Sequence, residues 1–342
     1  MNLFINTPGT YVHVKDELFQ IRRRDAEGQV LKTDIAAPKV TAILLQKGAA
    51  MSTDAMLLAL KHNVDVLLVR YDGQPVGRLW HARLGSTTRI RKCQLEASLD
   101  ARGLEAVQDW LGTKLERQQA LLRDLKKHRE ALRPYLDERI GRIEDMRVKI
   151  LAARAAQAGE VAEALRGWEG TAGRLYFEAL SEALPKGHRF AGRSSRPAQD
   201  AFNAFLNYGY GILYGKVEKA LMLAGLDPYV GFMHRDDYNQ KSLVYDAIEP
   251  YRPWVDRVVM RLFAGKRVRQ DHTEPVPGGV TLSAEAKPML VEAVLKHLEE
   301  DKIRYRHRNL SREHAMQLEA HRLAQGLMGK ELPDRPPETI EL

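Results

Sequence analysis

The chain has 342 residues, 44% of them hydrophobic and 29% charged, and Lys+Arg exceed Asp+Glu by 53 − 45 = +8. That length and balance predict about two soluble domains and exclude a wholly disordered chain, a collagen or a disulfide scaffold. The basic excess favours an acidic partner, nucleic acid first, against the plainer reading that nothing anionic binds.

A single cysteine, Cys93, excludes an intramolecular disulfide and a cysteine-rich zinc site, and it fits a reducing cytoplasm. Met1 to Val14 lacks a basic segment followed by an apolar one, so no signal peptide is expected. No run of eighteen apolar residues occurs, so no membrane span is expected either.

Residues 1 to about 85 read mostly as strands. Thr10 to Val14 and Leu18 to Arg22 flank the polar Lys15-Asp16-Glu17 and suit a hairpin. Val40 to Leu45 is a short apolar strand, and Ser52 caps a helix through Met56, Leu57, Leu58 and Leu60. Val64 to Arg70 is a second buried strand, Tyr71-Asp72-Gly73 a turn, and Pro75 to Trp80 leads out of the sheet. No Gly-rich fingerprint follows a strand, which argues against a dinucleotide site.

From about residue 90 the composition turns helical: proline is absent from Ile90 to Leu132, and Arg, Lys, Glu, Leu and Ala dominate as far as Arg166. Leu115, Leu122, Leu125 and Leu132 are spaced as one helix face. The charges on the other faces read as a solvated surface ahead of a DNA groove. Ala201 to Ala224 is the next helix, closed by Gly225 and Pro228. Two further helices follow, one ending near Glu300 and one from about Ser311 to Met328; the first starts at Ser283 or just before Pro288. Residues 331 to 342 form a loose acidic tail. The fold class is therefore α+β: a small β-rich domain over 1–88, then a larger all-helical domain over 89–330.

No phosphate-binding Gly loop, Gly-x-Ser-x-Gly elbow or His-Glu-x-x-His helix is present. Four other residues draw attention. Glu178 lies among Leu175, Tyr176, Phe177 and Leu180, either as an exposed helix position or as a buried ligand. His234 ends the apolar Val230-Gly231-Phe232-Met233, either as a satisfied core or cap residue or as a ligand. Asp246 and Glu249, three apart, share a helix face if Pro250 permits a helix, and otherwise belong to a solvated acidic face. Together the four make a candidate divalent-metal site: carboxylates suit Mg²⁺ and Mn²⁺, and an imidazole tilts the choice to Mn²⁺. Such a metal beside basic residues serves phosphodiester chemistry. The nearby candidates for DNA contact are Arg193, Arg196, Arg252 and Arg257.

The order of several motifs resembles one family. They are Asn6-Thr7-Pro8-Gly9, Ser52-Thr53-Asp54-Ala55, Glu169-Gly170 ahead of Tyr176-Phe177-Glu178, and Phe190-Ala191-Gly192-Arg193 ahead of Arg196-Pro197. Gly225-Leu226-Asp227-Pro228, then Gly231-Phe232-Met233-His234, Asp246 twelve residues later, and Arg252-Pro253 complete the series. The sequence thereby resembles the CRISPR-associated integrase/endonuclease that inserts new spacers (the Cas-one family). The resemblance implies that Glu178, His234 and Glu249 hold a catalytic Mg²⁺ or Mn²⁺, with Asp246 as a second acidic group beside them. It implies a homodimer formed through the N-terminal domain and a small second CRISPR adaptation protein as partner. It implies double-stranded DNA substrates, prespacer and CRISPR repeat, joined through 3′-hydroxyl ends by transesterification. A nuclease of branched DNA that does not integrate, and a non-catalytic DNA-binding scaffold, are the competing readings. Asn239 and Gln240 stand where many relatives carry Gly and a basic residue, and Pro250 stands where many carry another acid.

Overall fold

The computed structural model describes residues 2–25, 27–40, 42–62, 64–69, 75–79, 87–195, 197–234 and 240–330. Two compact units divide the chain, Met1–Leu84 and Gly85–Leu342.

The first unit holds two four-stranded sheets. One has β1 (Asn2–Ile5), β5 (Ala42–Gln46) and β7 (Asp65–Val69) in parallel, with β8 (Pro75–Leu79) antiparallel at the edge. The other has the order β4 (Val30–Ala36), β3 (Leu18–Arg24), β2 (Tyr11–Lys15) and the two-residue β6 (Ala50–Met51). The expected hairpin is β2–β3. Its two turn residues, Asp16 and Glu17, both take left-handed φ (51° and 59°), which gives the turn a twist matching that of the strands. Pro75–Leu79 does not leave the sheet as expected: it pairs with β7, and an edge position leaves the proline's missing N–H at no cost. The expected turn at 71–73 lies outside the described residues. Helix α1 (Thr53–Lys61) starts as the sequence indicates, with Ser52 Oγ accepting from the Ala55 N–H at 3.2 Å. Val12, Phe19 and Ile43 are fully buried in this unit's own core.

The second unit is largely helical. Its helices are α2 (Thr87–Ala97), α3 (Ala101–Lys126), α4 (Arg133–Ala152), α5 (Ala158–Glu182), α6 (Ala201–Leu223), α7 (Ser242–Ala247), α8 (Arg252–Ala264), α9 (Ala286–Leu295) and α10 (Arg312–Leu327). It is not all-helical: β9 (Thr273–Val276) with β10 (Gly279–Leu282), and β11 (Lys302–Tyr305) with β12 (Arg308–Ser311), form two hairpins. These four-residue strands are too short for an alternating pattern to stand out from a turn-rich stretch. Asp100 caps α3 and breaks the long helical stretch after Ala97. Leu115 and Leu122 are fully buried, whereas Leu125 is half-buried near the end of α3 and Leu132 falls in the turn beyond it. Helix α9 begins between the two expected starts, with Ser283 Oγ accepting from Ala286 N–H at 3.3 Å. Helix α6 runs through the core. Its Phe202 and Phe205 meet Phe263 of α8 edge to face, and Phe190 stacks on Phe202. Each such ring contributes about 1.5–3 kcal/mol through burial. Gly209 lets α6 and α8 touch, since a Cβ there would come within 2.6 Å of Val255 Cγ1. No helix among the described residues is long and apolar enough to cross a membrane.

Candidate active site

The segment from Gly225 to His234 is held at both ends. At its start, Gln94 of α2 donates from Nε2 to the carbonyls of Asp227 and Val230 (2.9 and 2.8 Å), and its Oε1 accepts from Asp227 N–H at 2.9 Å. At its end, Asp246 of α7 gathers the backbone. Its Oδ2 accepts from the N–H groups of Phe232 (2.7 Å) and Met233 (2.9 Å), and its Oδ1 accepts from His234 N–H at 3.2 Å. Only glycine permits this approach at 231, because a Cβ would lie 2.6 Å from Ser242 Cβ. Asp246 Oδ1 also lies 2.5 Å from His234 Nδ1. A carboxylate only accepts, so the neutral ring carries its proton on Nδ1 and keeps the Nε2 lone pair available. The hydrogen bond to Asp246 raises the His234 pKa; burial opposes it, and the charges of Asp246 and Glu249 add to it.

Asp246 and Glu249 do not share a face. Helix α7 ends at Ala247 and the chain tightens into a 3₁₀ turn over Glu249–Tyr251, with Pro250 second in the turn where its missing N–H costs nothing. Arg117 of α3 holds this turn by donating to the Pro250 carbonyl at 2.6 Å, and its guanidinium stacks 4.8 Å from the Trp254 ring centre. The buried Glu249 consequently faces α3 and α8. Arg252 Nε donates to Glu249 Oε1 at 2.8 Å, and Lys114 Nζ lies 2.5 Å from Oε2. Burial opposes ionisation of Glu249, but Arg252 and Lys114 outweigh it and hold its pKa at about 2. Lys114, 6% exposed, also donates to Glu169 of α5. Its ammonium therefore stands between two carboxylates. Burial opposes its charge, but Glu249 and Glu169 keep its pKa above the ordinary lysine range.

A chain of contacts joins the histidine to this cluster. The His234 ring lies 5.9 Å from Tyr245, which meets Tyr214 edge to face, and Tyr214 Oη accepts from Arg252 Nη2 at 2.8 Å. Lys114 brings Glu169 and Glu249 together, and the charge of Glu249 acts on His234, a grouping that differs from the expected ligand set. Glu178 is not in this grouping. Glu178 lies nine residues beyond Glu169 on α5; at about 100° and 1.5 Å per residue it points from the opposite face, roughly 13 Å further along. Its carboxylate is taken by Arg174 at 2.8 Å and Arg139 of α4 at 3.4 Å. The sequence does carry a signal for Glu169. It falls on the stripe Leu165, Glu169, Ala172, Tyr176, Ala179, whose other four members are buried, so a carboxylate there faces the interior. Lys114 likewise interrupts the buried stripe Leu111, Leu115, Gln118, Leu122 of α3.

The arginines expected to meet DNA are mostly engaged internally. Arg193 donates to Asn203 Oδ1 (2.9 Å) and Asn207 Oδ1 (2.5 Å) and lies over the Tyr210 ring. Arg252 serves Glu249 and Tyr214, and Arg257 donates to Asp124 at 2.7 Å. Arg196 lies outside the described residues. Arg166, by contrast, is exposed, acts electrostatically on His234, and has no hydrogen bond or ion pair among the described residues.

Behind Arg193 and Arg252, the fully buried Asp256 accepts from Tyr210 Oη (2.5 Å) and Tyr176 Oη (2.9 Å). Burial lifts its pKa to about 6 against these two hydrogen bonds. Between about pH 4 and 6 the folded state keeps a proton that the unfolded chain has released, so this group's contribution to stability falls as pH rises through that window. Asp256→Asn should therefore gain on the wild type by on the order of 2–3 kcal/mol between pH 4 and pH 7. Urea denaturation at several pH values checks this, and a constant offset between the two proteins across the window would contradict it.

Among the described residues, no three His, Cys, Asp or Glu side chains are gathered closely enough to hold a metal ion as they stand. The donor types nevertheless fit Mg²⁺ or Mn²⁺: two carboxylates already share a cation, Lys114, and a neutral His234 with its proton on Nδ1 offers the Nε2 lone pair as a third donor.

The helical unit thus holds a buried Glu249 and a partly buried Glu169 on one lysine, with a histidine held by an aspartate. The family model described as "CRISPR associated protein Cas1" matches residues 3–296, and the chain belongs to the Cas1 family. It is 34% identical over 322 residues to the "CRISPR-associated endonuclease Cas1 1" of Archaeoglobus fulgidus, covering 91% of this chain and 92% of that one. Its fold is similar to that of a "Casposase bound to integration product" (TM-score 0.78, 23% identity, 100% of this chain and 96% of that one). It is also similar to part of a chain in a "Cas6-RT-Cas1--Cas2 complex" (TM-score 0.73, 20% identity, 96% of this chain and 35% of that one).

Proposed function

We propose that this protein is a metal-dependent DNA endonuclease/integrase of CRISPR adaptation, working in the cytoplasm. The observation that carries the reading is the pairing of Glu169 and Glu249 through Lys114, with His234 within electrostatic reach of Glu249, in a member of this family. The two carboxylates and the imidazole, with Glu169 in place of Glu178, would hold Mg²⁺ or Mn²⁺. When bound, that ion would draw charge from the phosphate and favour the ionised 3′-oxygen.

The chain's own groups then have defined tasks. Asp246 fixes the His234 tautomer and the loop that carries it. Arg252 and Arg117 hold the Glu249 turn. Arg166 is available to a DNA phosphate. The 3′-hydroxyl oxygen of a prespacer end forms a bond to a repeat phosphorus, and the repeat's own P–O3′ bond breaks. The attacking hydroxyl loses a proton and the departing 3′-oxygen gains one, so the reaction needs no outside energy source.

The homodimer, with the N-terminal domain as its interface, and the small second adaptation protein belong to this proposal. The Cas1–Cas2 assembly named for a structural relative supports the second. The test is a strand-joining assay with a labelled prespacer, a plasmid carrying the repeat and Mn²⁺, with and without the partner. Label entering the plasmid only with the divalent ion is the expected result. Shortened fragments alone would favour a nuclease, and binding without any chemistry would favour a scaffold.

A further inference from the structure

A buried lysine between two carboxylates is an unusual thing to build into a site meant for a divalent cation. Lys114 Nζ contacts both Glu169 and Glu249, Arg252 pairs with Glu249 from the other side, and Lys114 is 6% exposed. Two carboxylates are thus met by two fixed cations before any metal arrives. Burial of an unpaired charge is expensive, so without Lys114 the two carboxylates would repel each other in a weakly solvated place. With it they are held together, but their charge is already spent.

We propose that Lys114 is a resident counter-ion of the Glu169–Glu249 pair, which a divalent cation must displace from between them. This rests on the metal-site reading given above. Two consequences follow from charge alone. The free protein binds Mg²⁺ or Mn²⁺ weakly, because the ion brings positive charge to a pair already neutralised. DNA tightens that binding, because its phosphates supply negative charge where the displaced ammonium and the ion together leave an excess. Metal capture and DNA capture then become reciprocal, and the chemistry is confined to the DNA-bound state.

The experiment is a calorimetric Mn²⁺ titration of full-length wild type, Lys114→Met, Lys114→Arg and Glu169→Gln. Each is measured alone and with a DNA duplex whose 3′ ends lack the hydroxyl. Lys114→Met should bind Mn²⁺ about tenfold or more tightly without DNA, because one opposing charge at contact distance is gone. Lys114→Arg, which keeps a cation, should bind no more tightly than wild type. DNA should improve Mn²⁺ affinity in wild type more than in Lys114→Met. Equal or weaker Mn²⁺ binding by Lys114→Met, with binding still lost in Glu169→Gln, would overturn the proposal and leave the metal site standing. Wild-type binding that is indifferent to Glu169→Gln would instead overturn the metal site itself. Should Lys114→Met prove unstable, its melting temperature with Mn²⁺ and with EDTA decides the matter: a larger Mn²⁺-dependent rise than in wild type supports displacement, and an equal or smaller one refutes it.

Discussion

Glu169→Gln should abolish strand joining while Glu178→Gln leaves it within a few-fold of wild type. The two residues lie on one helix, yet their surroundings differ in kind. Glu169 meets a buried ammonium that is shared with Glu249. Glu178 pairs with Arg139 of α4 and, at the surface, with Arg174, which is 60% exposed. Exposed pairs of that kind contribute about 0–1 kcal/mol. Losing Glu169 leaves Lys114 with half its compensation, which costs about 1–3 kcal/mol of stability besides removing a ligand. The assay is label transfer into plasmid in Mn²⁺, read beside Mn²⁺ affinity and thermal stability for both variants. Loss of joining in Glu178→Gln with Glu169→Gln active would restore the ligand set expected from the motifs and refute the geometric assignment.

Asp246→Asn should reduce divalent-metal affinity by about 10–100-fold, the usual consequence of removing the group that orients a ligating histidine. One carboxylate here satisfies three backbone N–H groups and the imidazole at once. An amide offers one acceptor oxygen and turns donors toward donors on its other side. At least one buried N–H is then orphaned, at about 1–3 kcal/mol. The His234 ring also loses the partner that keeps its proton on Nδ1. Nitrogen-15 spectra of the histidine ring report the tautomer directly, and Mn²⁺ titration with urea denaturation gives the other two quantities. A variant with unchanged tautomer and affinity would show that the loop holds His234 without Asp246.

Much of the architecture was readable from residue order. Local rules, a cap at Ser52, a polar turn at Lys15-Asp16-Glu17, and Gly225 closing α6, act over a few positions and so appear in the sequence. The motif series named the family because it preserves many such local requirements in one order. His234, Asp246 and Glu249 stood out as candidates for the same reason, though the contacts that each one makes did not. Tertiary structure alone decided which carboxylate of α5 faces Glu249, since Glu169 and Glu178 differ by rotation about the helix axis and by what packs there. It also decided that Arg193, Arg252 and Arg257 spend their charge inside the fold. The two-residue β6 gains its order from pairing with the distant β2, which no short window along the chain contains, while the four-residue strands of the β9–β10 and β11–β12 hairpins are too short to show an alternating pattern. Lys114 is the clearest case: on the sequence it is one lysine among many, and only the meeting of α3, α5 and the Glu249 turn makes it a buried cation between two acids.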